Sequence, residues 1–216
     1  MLQAFKWVSA LLLTTAVSAN AQTELSIYGG TLLSADGTIG GNDPAGIGAF
    51  GFSSNWEESS DGAERMFGAR IVWWQSNDSG WGLDFEHAPM RADPDALVLS
   101  GLDTFEFGGG TSLVTLNAYH RWSDQGLLVP YVGAGIGFSI PMLEFDSVGG
   151  TAARYKLAGP AMQWVAGASV PLRDNWAVFG EYKGSYVANS TELSGGGTVR
   201  ADVFSNAFNV GVTLGF

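Results

Sequence analysis

The chain has 216 residues, a net charge of −11 and no cysteine, and charged residues make up only 14% of it. The absence of cysteine excludes disulfide scaffolds and thiolate metal sites, and the acidic balance argues against binding of nucleic acid by a basic surface. The composition, with 12% aromatic residues and 31 glycines, differs from that of a disordered chain, which has few aromatic residues and many charges. They suit either a small β-sandwich or a β-barrel in lipid.

The first 21 residues predict a secretory signal peptide. Lys6 precedes the apolar run from Trp7 to Val17, and Ala19-Asn20-Ala21 follows as an A-x-A cleavage pattern. The run is too short to cross a bilayer as a helix. We therefore expect residues 1–21 to be removed and residues 22–216 to form one domain. Lipid tolerates no unpaired backbone, so a mature chain in a membrane would have to be a closed barrel.

Apolar residues alternate with small or polar residues in eight segments, which is the period of a β-strand. The segments are residues 24–34, 66–76, 81–88, 112–122, 131–142, 161–170, 176–187 and 204–216. The last is the clearest, because Phe204, Phe208, Val210, Val212, Leu214 and Phe216 share one parity. An apolar row that ends in Phe216 resembles the assembly signal of outer-membrane barrels, so we expect Phe216 to engage the barrel-assembly machinery. The alternative is an edge strand of a soluble sandwich.

Short and longer connections alternate along the chain. The short ones are residues 77–79, 123–126 and 172–175, the long ones are 35–65 and 90–110, and 146–153 and 193–198 are intermediate. In outer-membrane barrels the short turns face the periplasm. Outward aromatic residues gather at these predicted ends, as in an interfacial girdle: Trp73, Trp81, Trp122, Trp176 and Phe216. The sequence therefore predicts an all-β fold, an eight-stranded antiparallel up-and-down transmembrane β-barrel in the outer membrane of a Gram-negative bacterium.

Charged residues on the inward parity form the first candidate site. They are Arg70, Asp84, Glu86, Arg121, Glu181 and Lys183. Charged side chains inside a narrow barrel must pair with opposite charges. A three-residue loop at 77–79 predicts a hairpin in which Arg70 lies opposite Glu86 and Val72 lies opposite Asp84. Two interpretations stay open: a structural ion-pair core, or a site near Arg70, Glu86 and Lys183 that relays protons.

Basic residues at the predicted outer strand ends and loops form a second candidate site. They are Arg65, Arg91, Arg154, Lys156 and Arg200. Arginine grips phosphate bidentately, and the outer leaflet carries the phosphates of lipid A. We expect these residues to contact lipopolysaccharide, as any protein in that leaflet does whether or not it acts on the lipid.

Histidine is rare, and the two copies lie at opposite predicted ends. His87 ends the third strand at the outer side, and His120 lies near the periplasmic end of the fourth. Ser123 follows His120 by three residues and faces the other way, so no His-x-Ser pattern exists and the sequence disfavours a Ser–His acyl hydrolase. His87 is a candidate acid, base or metal ligand. The sequence defines no set of metal ligands.

Several stretches suggest a family. They are Trp81-Gly-Leu-Asp-Phe-Glu-His87 and Val178-Phe-Gly-Glu-Tyr-Lys-Gly-Ser-Tyr186, with residues 68–74, 130–137 and 159–168. From about Asp43 onward the chain resembles the rhizobial outer-membrane lipid A oxidase and its alphaproteobacterial relatives. The resemblance implies oxidation of the proximal glucosamine of lipid A to 2-aminogluconate, with O2 as co-substrate and peroxide as by-product. It carries over no catalytic residues, and any further cofactor is unknown.

A catalytic hypothesis follows from the strand map. Oxidation at an anomeric carbon requires a base at the depth of the lipid headgroups, which only the outer strand ends reach. His87 and Glu86, with Arg70 across the hairpin, are the candidates. Neighbours in a strand face opposite sides, so a bulge before Pro89 would be needed. The alternative function is a non-enzymatic small barrel, opacity-like or porin-like, that serves envelope integrity or adhesion.

Overall fold

The computed structural model describes residues 22–45, 48–57, 66–92, 104–124, 126–147, 150–155, 159–173, 175–192 and 196–216. These residues form ten strands: β1 (Gln22–Asp43), β2 (Gly48–Glu57), β3 (Met66–Trp74), β4 (Ser79–Ala92), β5 (Thr104–Arg121), β6 (Val129–Ser147), β7 (Gly150–Tyr155), β8 (Gly159–Pro171), β9 (Trp176–Glu192) and β10 (Thr198–Gly215). The predicted signal peptide, residues 1–21, lies outside the described residues. No helix in the described part of the chain is long and apolar enough to span a membrane.

The strands form one antiparallel sheet that closes on itself. The first and last strands pair along their lengths, from Glu24 opposite Gly215 to Asn42 opposite Thr198. β2 and β3 both pair with β1 and β4, and β7 and β8 both pair with β6. Each of these two couples therefore occupies a single place around the sheet. The ten strands fill eight positions, which confirms the predicted eight-stranded antiparallel barrel.

The strands extend further than the side-chain pattern predicted. β1 continues to Asp43 and pairs with β2 inside the predicted loop 35–65. β4 and β5 extend into the predicted loop 90–110, and β7 lies in the predicted loop 146–153. Backbone hydrogen bonds hold these extensions. The extension of β1 turns the polar residues Asp36, Thr38 and Asn42 outward. It therefore lacks the apolar outward row that marks a lipid-facing strand, although Ala35 and Ile39 are buried inside.

The outward face is apolar, as predicted, and on the inward face buried polar and charged residues lie between apolar clusters. Of the aromatic residues predicted to form the girdle, Trp81, Trp122, Trp176 and Phe216 are exposed. They lie at the end of the barrel that carries the turns at 75–78, 122–128 and 172–175, which we call the short-turn end; the opposite end is the outer end. A β-bulge between Leu32 and Ser34 reverses the parity of β1, so the buried residues change from Ser26 and Tyr28 before it to Ala35 and Ile39 after it.

Side chains fill the barrel in layers. At the outer end the inward residues form an apolar cluster: Ala35, Ile39, Met66, Ala88, Val199, Ala201, Val203 and Ala207. Buried charged residues occupy the middle. Towards the short-turn end lie a second apolar cluster around Trp74 and Tyr119 and a cavity of about 450 Å³. Side chains therefore fill the middle and the outer end of the described interior, as expected for a barrel of this size, and the short-turn end holds the cavity.

Candidate functional site

Lys183 is the centre of the buried charge network. Its Nζ lies 3.0 Å from Glu86 Oε2 and 3.1 Å from Asp84 Oδ2, with Glu181 Oε1 at 3.7 Å. It also donates a hydrogen bond of 2.5 Å to the hydroxyl of Tyr28, which in turn donates to Asp84. One ammonium thus holds three carboxylates that project from β4 and β9, on two different walls of the barrel.

Arg70 is the second cation of the network. Its Nη2 lies 2.6 Å from Glu181 Oε2, and its Nε lies 3.3 Å from Asp84 Oδ2. Four aromatic rings surround the guanidinium at 5.4 to 6.0 Å: Tyr28, Tyr119, Tyr131 and Phe179. Rings at this distance attract the cation further, because they present the negative face of the π system.

The hairpin register differs from the predicted one. The turn occupies residues 75–78, and Trp74 pairs with Gly80, so Arg70 stands opposite Asp84 and Gly68 stands opposite Glu86. The prediction that Arg70 faces Glu86 was therefore wrong by two residues. The physical cause is the turn, in which the Gln75 amide already donates to Ser79 O. A register shift of two residues leaves each side chain on the same face of the strand, so Arg70, Asp84 and Glu86 still point inward.

Arg121 lies on the inward parity with the other five charges but takes no part in their ion pairs. It forms an ion pair of 2.7 Å with Glu24 near the short-turn end, and its guanidinium lies 3.9 Å from the ring centre of Trp74. The five remaining charges, three carboxylates and two cations, each contact a partner of opposite sign. This geometry favours the structural interpretation of the interior charges, since paired groups offset the cost of burial.

His87 faces away from the network. It pairs in regular register with Phe67 on β3 and Ser112 on β5, and its ring lies 5.2 Å from that of Phe67. The register shift in β4 falls between Ala88 and Met90, beyond His87. His87 and Glu86 therefore stay on opposite faces of the strand. The structure does not bring the predicted set of His87, Glu86 and Arg70 together.

Ser112 is a residue that sequence reasoning missed. Its Oγ lies 3.0 Å from Nδ1 of His87. The sequence search considered only a serine close to a histidine in the chain, as in a His-x-Ser pattern, and so did not consider this pair, whose members are 25 residues apart. A second pair of this kind exists at the short-turn end, where His120 Nδ1 lies 3.4 Å from Ser79 Oγ. Both pairs join β4 to β5.

The predicted phosphate-binding residues are only partly described. Arg200 lies in the outer part of β10 and is exposed. For Arg91 in β4 and Arg154 in β7 the backbone alone is described, and Arg65 and Lys156 lie outside the described residues. Among the described side chains, no group of three or more His, Cys, Asp or Glu is arranged to hold a metal ion.

Comparison with known proteins bears on the fold. The chain is similar to the N-terminal β-barrel domain of Pseudomonas aeruginosa OprF, with a TM-score of 0.51 and 14% identity, over 90% of this chain and 97% of that one. It is also similar to the outer-membrane protein AlkL, solved in lipid bilayers, with a TM-score of 0.51 and 16% identity, over 96% of this chain and 95% of that one. No family model matches the chain. No curated protein matches it.

The chain has the fold of a small outer-membrane β-barrel. Its outward apolar surface is what lipid requires of such a barrel, and the polar groups are turned inward. Fold and surface together indicate the outer membrane of a Gram-negative bacterium, in agreement with the location predicted from the sequence. The resemblance to lipid A oxidases stays a prediction.

Proposed function

We propose that this barrel acts on lipid A in the outer leaflet, as an oxidase that converts the proximal glucosamine to 2-aminogluconate. The filled interior supports a function at the barrel surface, because the buried network and the apolar cluster at the outer end leave no pore through the described part. At the outer end the surrounding molecule is lipopolysaccharide. The choice of oxidation rests on the sequence resemblance.

The observation that carries the proposal is the outward position of His87. It lies where the outward apolar row of β4, formed by Trp81, Leu83 and Phe85, approaches the outer end. A neutral imidazole there can accept the proton of a sugar hydroxyl. Glu86 and Arg70 have no such access, since both are buried in the interior. In this proposal they stabilise the barrel and do not touch the sugar.

The reaction balances with O2 as the oxidant. The substrate is lipid A with a free anomeric hydroxyl. The anomeric carbon loses its hydrogen with the electron pair of the C–H bond, the hydroxyl loses a proton, and these two protons and two electrons convert O2 to hydrogen peroxide. The product is a lactone, which water opens to the 2-aminogluconate. The part assigned to this chain is to bind the lipid and hold the proton at His87. Arg200, exposed near the outer end, is the described candidate for a contact to a lipid A phosphate.

The test is mass spectrometry of lipid A from cells with and without the gene, followed by purified barrel in lipid A vesicles under air. The expected product gains one oxygen atom, and peroxide appears in equal amount. His87→Ala at equal folded amount should lower the rate by about 100-fold or more, the range for loss of a general base. His120→Ala, at the other end of the barrel, is the matched control. Unchanged lipid A with the parent protein would refute the proposal.

The second candidate is a non-enzymatic barrel that serves envelope integrity or adhesion. The observation in its favour is that Arg70 and Glu86, two of the three predicted catalytic residues, are committed to ion pairs within the core. This reading predicts unaltered lipid A together with an envelope defect, measured as sensitivity to detergent, when the gene is absent. An altered lipid A with intact detergent resistance would exclude it.

A further inference from the structure

We propose that Ser112 and His87 form a nucleophile and base that cleave fatty acyl esters of lipids in the outer leaflet. The distance of 3.0 Å between Ser112 Oγ and His87 Nδ1 is within the hydrogen-bond range that such a pair requires. The inference does not rest on the oxidase proposal. It concerns a different bond of the lipid and a residue, Ser112, that the oxidation does not use.

The pair lies on the lipid-facing wall. Ser112 is flanked on β6 by Ile140, and His87 is flanked on β3 by Phe67, both exposed apolar residues. Outward apolar rows lead to the pair from the short-turn end, through Leu83 and Phe85 on β4 and through Leu116 and Val114 on β5. Acyl ester groups lie where hydrocarbon chains meet headgroups. A hydroxyl at the outer end of an apolar row is therefore suited to reach an ester carbonyl.

The packing of His87 defines its role as base. Phe67 lies against the imidazole at 5.2 Å with a tilt of 39°, so the ring has a neighbour that orients it. For Nδ1 to accept the hydroxyl proton of Ser112, the ring must be neutral and carry its proton on Nε2. The imidazole is half-buried beside the exposed ring of Phe67.

The reaction needs only water as a co-reactant. Ser112 Oγ attacks the ester carbonyl while its proton passes to His87 Nδ1. The ester C–O bond then breaks, the leaving alkoxide takes that proton, and the acyl chain is bonded to Ser112. Water attacks this second ester, delivers a proton through His87, and releases the fatty acid with the serine hydroxyl restored.

The test uses the full barrel in two sets of vesicles, one of phospholipid alone and one containing lipid A, together with a fluorophosphonate probe. We expect covalent labelling of the parent protein and release of free fatty acid from one or both lipids; the vesicle set that is cleaved identifies the source of the ester. Ser112→Ala should abolish labelling, and His87→Ala should reduce hydrolysis by about 100-fold or more. Ser79→Ala and His120→Ala alter the similar pair at the short-turn end, and they should leave both readouts unchanged.

The products separate this inference from the oxidase proposal. Hydrolysis removes one acyl chain, whereas oxidation adds one oxygen atom and leaves the acyl chains in place. Lipid A that gains oxygen but loses no acyl chain, together with phospholipid that releases no fatty acid, would support the oxidase and overturn the inference. Absence of labelling and of fatty acid release in a folded parent protein would overturn it as well.

A second measurement does not depend on finding the lipid substrate. The chain has no cysteine, so Ser112→Cys and Ser79→Cys each introduce a single thiol. An imidazole within hydrogen-bond distance activates a thiol as it would the serine hydroxyl. We expect iodoacetamide to alkylate the thiol at position 112 several-fold faster in the His87 background than in His87→Ala. Equal rates in the two backgrounds would contradict the role of His87 as base.

Discussion

Replacing Arg70 with methionine should destabilise the barrel by about 3 kcal/mol, the lower end of the range for breaking a buried ion pair. The lower end applies because each abandoned carboxylate keeps other partners. Asp84 retains Lys183 at 3.1 Å, and Glu181 retains the hydroxyl of Tyr131 at 2.6 Å. Methionine preserves much of the length of the side chain, so the loss measures charge more than volume.

Two further variants give the loss of stability of Arg70→Met an upper and a lower comparison. Lys183→Met should cost about 5 kcal/mol, the upper end of that range, because Lys183 is the ion-pair partner of Glu86 and also contacts Asp84 and Glu181. Arg121→Met is the matched control. Its pair with Glu24 is partly open to solvent, so its loss should cost less than the loss of either cation of the network, although Arg121 also stacks on Trp74.

The assay is urea unfolding in lipid vesicles, followed by tryptophan fluorescence and by the gel shift of the folded barrel on heating. The expected order of destabilisation is Lys183→Met, then Arg70→Met, then Arg121→Met. If Arg70→Met and Arg121→Met shift the unfolding midpoint equally, the interior charges are not a dry paired network, and the stabilising role assigned to them is wrong.

Three other perturbations test separate parts of the fold. Gly137→Ala should lower the free energy of unfolding by about 1–3 kcal/mol, because the added Cβ would overlap the backbone carbonyl of Val114. Gly180→Ala is its control in the same unfolding assay and should be tolerated, because the nearest atom to the added Cβ is 3.6 Å away. Phe216→Ala keeps the two backbone hydrogen bonds to Thr23 and removes only the ring. A lower yield of heat-modifiable barrel would support an assembly role for the ring, and a normal yield would exclude that role. Hydrogen bonds from Ser123 lower the pKa of Asp78 below its ordinary value of 3.8. The stabilisation from these hydrogen bonds is therefore complete above pH 3.8 and is lost as the pH falls through the lowered pKa of Asp78. Faster exchange of the Ser123 amide hydrogen at low pH would report this loss. Asp78→Asn should abolish the pH dependence.

The barrel itself was predictable because lipid imposes a simple rule on every spanning strand. Outward side chains must be apolar, and the period of two assigns each residue to a face. This rule identified the spanning part of each strand and the inward set that contains Arg70, Glu181 and Lys183. The rule did not identify β2 or the part of β1 beyond Leu32. A bulge after Leu32 changes the parity of β1, and β2 pairs only with the part of β1 that follows the bulge.

Partners across the barrel were not predictable from the same pattern. Parity gives the face of a residue, but the register between strands decides which residue it meets, and register depends on turn geometry. A turn at 75–78 in place of 77–79 moved Arg70 from Glu86 to Asp84. Contacts between strands that are not sequence neighbours, such as that of Arg70 with Glu181, have no local signal at all.

The pair of Ser112 and His87 shows the same limit in its most consequential form. A search for chemistry along the sequence finds a serine near a histidine only when both lie on one segment, as in a His-x-Ser pattern. In an antiparallel barrel the neighbours of a residue come from the adjoining strands, and β4 and β5 bring together residues that are 25 positions apart. The register of β4 against β5 sets two serine–histidine pairs at opposite ends of one hairpin. In our proposal the pair at the outer end reaches the lipid of the outer leaflet, and the similar pair at the short-turn end is its control.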